Sequence, residues 1–147
     1  MEPIKFRIVK IETLQFAMLP DFYDLTTDNF DYSFDLNFAF PSLEEKIIAC
    51  SCLVKYEGKS SPFLILEVGM IFEIENESWK RIKGKDQFIL PKETAYHMMS
   101  LAVGTVRGIL HSETKNTDFN HLILPSINLT QVIETDIVQP FEKKTTK

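Results

Sequence analysis

Phe30, Tyr32, Phe34, Leu36, Phe38 and Phe40 take every even position of one stretch, and Asp31, Ser33, Asp35, Asn37 and Ala39 fill the odd ones. Successive side chains of a β-strand point to opposite faces, so this alternation fixes a strand with one apolar and one wet face. At about 3.4 Å per residue the stretch is roughly 37 Å long, about twice the common strand. A strand that long needs long neighbours, and the sequence supplies three. Ile4 to Leu19 alternates with a break in phase: Phe6 and Ile8 share one parity, Val9 and Ile11 the other, then Leu14, Phe16 and Met18 return to the first. A bulge near Glu12 accounts for the slip. Lys46 to Tyr56 and Phe63 to Ile74 complete the set.

Those last two segments are apolar on both parities. Ile48, Cys50, Cys52, Val54 and Tyr56 line one face of the first, while Ile47, Ala49 and Leu53 lie on the other. Leu64, Leu66, Val68, Met70, Phe72 and Ile74 line one face of the second, with Phe63, Ile65 and Ile71 opposite. The connections, Pro41-Ser42-Leu43-Glu44 and Glu57-Gly58-Lys59-Ser60-Ser61, are short turn signals that favour an antiparallel meander.

After Pro91 the spacing becomes helical: Ala95, Met98, Ala102, Val106 and Ile109 form one stripe, widened by Tyr96, Met99, Val103 and Leu110. A second stripe runs His97, Ser100, Gly104, Gly108, His111. Each glycine there costs about 1 kcal/mol relative to alanine, and close approach of another backbone is the usual compensation. That backbone belongs either to a partner helix or to the chain's own sheet. Ser112 to Asn120 reads as a loop, and Asn128 with Gln131 starts a second helix whose apolar face is Leu129, Val132, Ile133 and Ile137. The fold class is therefore α+β, a four-stranded antiparallel meander sheet with a long helix and a shorter C-terminal helix packed on it. Residues 1–138 form one domain, and residues 139–147 are a short basic tail.

One helix about 10 Å wide does not cover both faces of such a sheet. The second face needs a partner subunit, the terminal helix or a ligand; the plainer alternative is that short helix and loops suffice. Twelve phenylalanines, four tyrosines and one tryptophan in 147 residues sharpen the question. Hydrophobic residues at 44% and charged residues at 25% exclude disorder as the main state. A net charge of −5 argues against a dedicated nucleic-acid binder, and two cysteines do not make a disulfide framework. Met1-Glu2-Pro3-Ile4-Lys5 shows no leader pattern, and the longest nearly uncharged run, Ile47 to Val54, is far short of the ~20 residues a bilayer needs. A cytoplasmic domain without membrane insertion is expected.

Catalytic chemistry has no visible foothold. Cys50 and Cys52 read as small buried hydrophobes. His97 and His111 share a helix face but stand roughly 21 Å apart, too far to ligate one metal within a chain. Glu93 and His97 make an ordinary i, i+4 pair. Lys80-Arg81-Ile82-Lys83-Gly84-Lys85 reads as a solvated basic loop, and no phosphate-binding loop or nucleophile elbow is present. No enzyme, metal or cofactor is expected.

Four strings in order resemble the SecB family of protein-export chaperones: Phe6-Arg7-Ile8, Gly69-Met70-Ile71-Phe72-Glu73-Ile74, Phe88-Ile89-Leu90-Pro91 and Leu124-Pro125-Ser126-Ile127-Asn128-Leu129. The likeness spans about Ile4 to Val138. It implies a homotetramer, a dimer of dimers with its long helices between two sheets, which would cover the exposed face. It also implies an ATP-independent holdase whose apolar grooves bind unfolded client polypeptides. By matched position the groove candidates are Phe6, Phe30, Phe34, Phe63, Phe72 and Leu129, and the helix stripe Ser100, Gly104, Gly108 is the candidate oligomer interface. The alternative for each aromatic is core packing. The family's export members carry acidic positions on the exposed sheet face for the SecA motor, where this chain has Thr13, Ala17 and Ile65. That departure, and a lysine-rich end, argue against SecA as a partner. Relatives of the family also control toxin–antitoxin pairs, and a sheet-based module for a small apolar ligand is the alternative from another class.

Overall fold

Four long strands pair antiparallel in the computed structural model, which describes residues 2–23, 30–58 and 61–141. They are β1 (Phe6–Met18), β2 (Asp31–Ala39), β3 (Ile47–Glu57) and β4 (Pro62–Ile74), in the order β1-β4-β3-β2. The meander runs through β2, β3 and β4, and β1 docks on the far side of β4 in Greek-key order. The order follows apolarity. The two strands that are apolar on both faces take the centre, where burial is greatest, and the more polar β1 and β2 take the edges.

The phase break in β1 is two bulges rather than one. Register shifts fall between Ile8 and Lys10 and between Thr13 and Gln15, so Val9 and Leu14 are each an extra residue. Two bulges keep Phe6, Ile8, Ile11, Thr13, Phe16 and Met18 opposite the face-one residues of β4, from Ile74 to Leu64. Thr13 therefore faces Val68 rather than the exposed sheet face, where Ala17 and Ile65 do pair. The displaced Leu14 lies over Gly69, where an added Cβ would come within 3.0 Å of Leu14 Cδ1. Gly69 makes room for the bulge.

Beyond the sheet come α1 (Asn76–Ile82), β5 (Gln87–Leu90), α2 (Lys92–Glu113), α3 (Leu129–Val132) and β6 (Ile137–Pro140). The expected basic loop is partly helix: Lys80 and Arg81 close α1, where cations suit the carbonyl end, and Glu75 caps its start. The Ser78 hydroxyl, donating to Glu75 at 2.8 Å, holds that carboxyl below its usual range. The expected second helix lasts one turn. Its Ile133 carbonyl accepts the Tyr96 hydroxyl at 2.6 Å, and the chain then extends so that Ile137 to Pro140 pair with β5. Tertiary capture overrides the helical spacing. Gln139 and Pro140 accordingly belong to the folded body rather than to a tail, and residues 142–147 lie outside the described residues.

Asp136, in the same return segment, accepts the Lys92 N–H at 3.0 Å and caps α2, a service Pro91 has no side-chain oxygen to provide. The core lies between α2 and the central strands: Ala95, Met98, Met99, Ala102, Val103, Val106 and Leu110 pack on β3 and β4. A second nest joins Phe40, stacked on Phe88 at 4.8 Å, with Trp79 and Phe141.

Candidate functional site

Neighbouring strands lie about 4.8 Å apart, so α2 spans little more than two of the four. On the β2 side, the segment after α2 turns back along the helix. Arg107 ties it there, donating from Nε to the Leu124 carbonyl at 2.8 Å and from Nη2 to that of Pro125 at 3.1 Å. Its Leu122, Leu124, Leu129 and Ile133 are buried, and Phe34, Leu36 and Phe38 of β2 stay half-buried against the core. On the β1 side nothing in the described chain lies over the trough. Ile8 is 42% and Ile11 51% exposed beside α2, and Ser100, Gly104 and Gly108 face outward.

An added Cβ at Gly104 or Gly108 meets nothing within 4 Å. Neither glycine serves packing on the chain's own sheet, which removes one of the two explanations for the stripe.

The far end of the sheet holds an aromatic cluster. Phe63, fully buried, contacts Tyr23 at 4.6 Å, Phe119 at 5.7 Å and Phe30 at 6.1 Å. Beside it a cavity of about 290 Å³ is lined by Phe30, Tyr32, Tyr56, His121, Ile123 and Pro125, among others. The Tyr56 hydroxyl is buried with no hydrogen-bond partner among the described residues, and its pKa is pushed up to about 12, chiefly by burial, then by neighbouring Tyr32. Near it a cavity of about 330 Å³ runs from Met18 and Pro20 to Phe119. Rings with one wet end suit amphipathic contact with varied chains.

The opposite sheet face carries no layer among the described residues. Ile65, Ile71, Ile47, Leu53, Ala49 and Leu14 form its apolar middle, half-buried or exposed. Charges rim it: Arg7 pairs with Glu73 at 3.0 Å, and Lys10 with Glu12 at 3.5 Å. A shallow cavity of about 130 Å³ sits among Leu14, Ala39, Ala49 and Ile71.

The expected groove residues separate by depth. Phe6 is half-buried, edge-on to Phe72 at 5.3 Å and to His97 at 5.2 Å, at the head of the β1 trough. Phe30 and Phe34 are half-buried on the β2 side. Phe63, Phe72 and Leu129 are buried in the single chain and offer floor rather than lining. Phe6 and Phe30 lie at opposite ends, so the candidates mark two places and not one groove. Sequence reasoning missed Tyr32, Tyr56, Ile8 and Ile11; the signal for the first two was their place on the apolar parity of paired strands. Burial pushes up both cysteine thiols, that of Cys52 to about 11, with Asp35 a smaller cause there. No group of three metal-ligating side chains occurs among the described residues, and no described helix is long and apolar enough to cross a membrane.

The sequence matches no protein-family model and no curated protein. Among solved structures, the chain is similar to the Mycobacterium tuberculosis SecB-like chaperone Rv1957 in complex with a ChAD peptide from the HigA1 antitoxin, Rv1956. Identity is 12%, over 84% of this chain and 91% of that one, with a TM-score of 0.48.

Proposed function

We propose that this protein is an ATP-independent holdase that keeps apolar stretches of non-native polypeptides from aggregating and acts as a homotetramer in the cytoplasm. The observation that carries the reading is apolar surface left open on both sides of β1: Ile8 and Ile11, on the helix side, are 42% and 51% exposed, and Leu14, on the opposite face, is 50% exposed. Exposed patches of this kind mark interaction surfaces. The outward-facing Ser100, Gly104 and Gly108 stripe, on the same side of the sheet as Ile8 and Ile11, suits a partner copy's helix, and the half-buried Phe6, Phe30 and Phe34 suit client side chains, with Phe63, Phe72 and Leu129 as the floor. Met98 and Met99 on the buried face of α2 add adaptable packing. Ala17 and Ile65, uncharged on the open face, do not favour SecA as a partner.

The test is light scattering from a chemically denatured protein diluted into buffer without nucleotide. Suppression at one tetramer per client is expected, and unchanged aggregation refutes the reading. Native mass spectrometry adds a second check: four copies of 17.0 kDa give about 68 kDa. The aromatic cavity favours one competing reading, a monomer that binds a small apolar ligand. A 17.0 kDa species without holdase activity would support it.

A further inference from the structure

The strand order leaves two edges, and they are not alike. β1 is broken by the bulges at Val9 and Leu14 and carries Arg7 and Lys10, devices that discourage another strand from pairing. β2 has neither. Its nine residues pair with β3 in unbroken register, and it contains no proline, lysine or arginine. Among the described residues its backbone pairs only with β3, so every second N–H and C=O points outward without a protein partner.

The two faces of this free edge differ in chemistry. Toward the helix stand Phe34, Leu36 and Phe38, half-buried, and Tyr32, 44% exposed at the 290 Å³ cavity. Toward the open face stand Asp31 and Asp35, with Glu57 directly across from Asp31. Lys55, across from Ser33, is the cation diagonal to both aspartates. The ion pairs among the described residues all lie elsewhere. Like charges opposite one another oppose pairing, so Asp31 and Glu57 call for a cation.

A second copy of β2 is a poor occupant. It carries no lysine or arginine to answer Asp31 and Asp35 in any register, and a two-fold antiparallel pairing centred on Asp35 or on Ser33 sets aspartate against aspartate. We propose that the free edge of β2 takes up an extended segment of another polypeptide as a fifth strand, with alternate side chains apolar and lysine or arginine. The apolar row continues the Phe34, Leu36, Phe38 surface and sets one side chain into the cavity beside Tyr32. The cationic row answers Asp31 and Asp35. This rests on the polypeptide-holding reading and adds where the chain is held and by what bonds.

The experiment uses the full chain and a blocked nine-residue peptide alternating lysine and leucine, followed by calorimetry and by amide shifts. Binding with shifts along residues 31–39 is expected. Methylating alternate peptide amide nitrogens on the pairing edge removes the backbone bonds and leaves the side chains, and should weaken binding about tenfold or more. A peptide with glutamate in place of lysine should bind more weakly still. Asp31→Asn with Asp35→Asn should cut affinity for the lysine peptide severalfold and flatten its salt dependence. Equal affinity of the methylated peptide, or shifts confined to α2 and β1, overturns the edge site. Aggregation suppression without peptide at β2 overturns the edge site alone. Peptide at β2 without suppression overturns the holdase reading alone.

Discussion

Replacing Gly104 and Gly108 by alanine puts the helix stripe under two opposed effects whose sizes differ enough to separate. In the single chain neither new methyl meets any atom within 4 Å. Each substitution therefore gains helix propensity, about 1 kcal/mol apiece, or about 2 kcal/mol together. At roughly 2.1 cal/mol/K per residue, 147 residues lose about 0.3 kcal/mol/K on folding, so the melting temperature of the dilute protein should rise by about 6 °C. Leucine at both positions keeps most of that gain but fills the stripe. If a partner helix closes on it, the leucine variant loses the concentration dependence of melting that assembly confers on the natural protein. The assay is thermal unfolding over a hundredfold range of concentration, with sedimentation velocity at each end. A fall in melting temperature of the dilute alanine variant would show that the glycines do meet backbone. Identical mass and melting for natural and leucine proteins at every concentration would remove the stripe as an interface.

Phe72→Ala, in the fully buried floor, should cost about 3–5 kcal/mol in denaturant unfolding, whereas Phe34→Ala, half-buried, should cost clearly less and impair client holding at full structure; equal costs would contradict the division between floor and lining. Asp136→Ala removes the cap of α2 and should destabilise by about 1 kcal/mol, read as a melting temperature about 3 °C lower. No change would mean Lys92 N–H finds water at no cost. The Cys52 thiol, held at about 11 against an ordinary 9.0, is neutral when folded where the unfolded chain ionises. Its stabilisation is complete below pH 9 and is lost as pH rises toward 11. Urea midpoints should accordingly decline above pH 9 less steeply in Cys52→Ala, and a thiol reagent at pH 8 should label neither cysteine of the folded protein; rapid labelling would disprove their burial.

How much of this was readable in the residues depends on the range of the forces concerned. Strand and helix identity were readable where side-chain period and burial agree, as in Phe30 to Phe40 and in the Ala95 to Leu110 stripe. The two-sided greasiness of Ile47 to Tyr56 and Phe63 to Ile74 marked the central strands. What escaped was set by contacts distant in sequence. Ile133 and Ile137 have helical spacing, yet Tyr96 and the edge of β5 pull their segment straight. Phe88 read as the approach to a helix because its strand partner lies some fifty residues on. In β1 the parity flips were visible, but Gly69, the seat of the second bulge, sits on another strand. For the candidate site, the aromatic parity of β2 was plain, while the absence of a neighbour on its far side among the described residues is a property of strand order alone.

Trp79, the chain's single indole, lies 5.3 Å from Phe88 in the nest that Phe40 and Phe141 complete. The closing contacts there span the chain, as with the Gln139 side-chain amide donating to the Phe40 carbonyl 99 residues away. Loops of that length close late, so the nest should assemble after the central sheet has zipped. Indole emission in this protein thus times the docking of the return segment rather than the birth of the sheet. A stopped-flow trace that lags far-ultraviolet circular dichroism would record those two events on separate clocks.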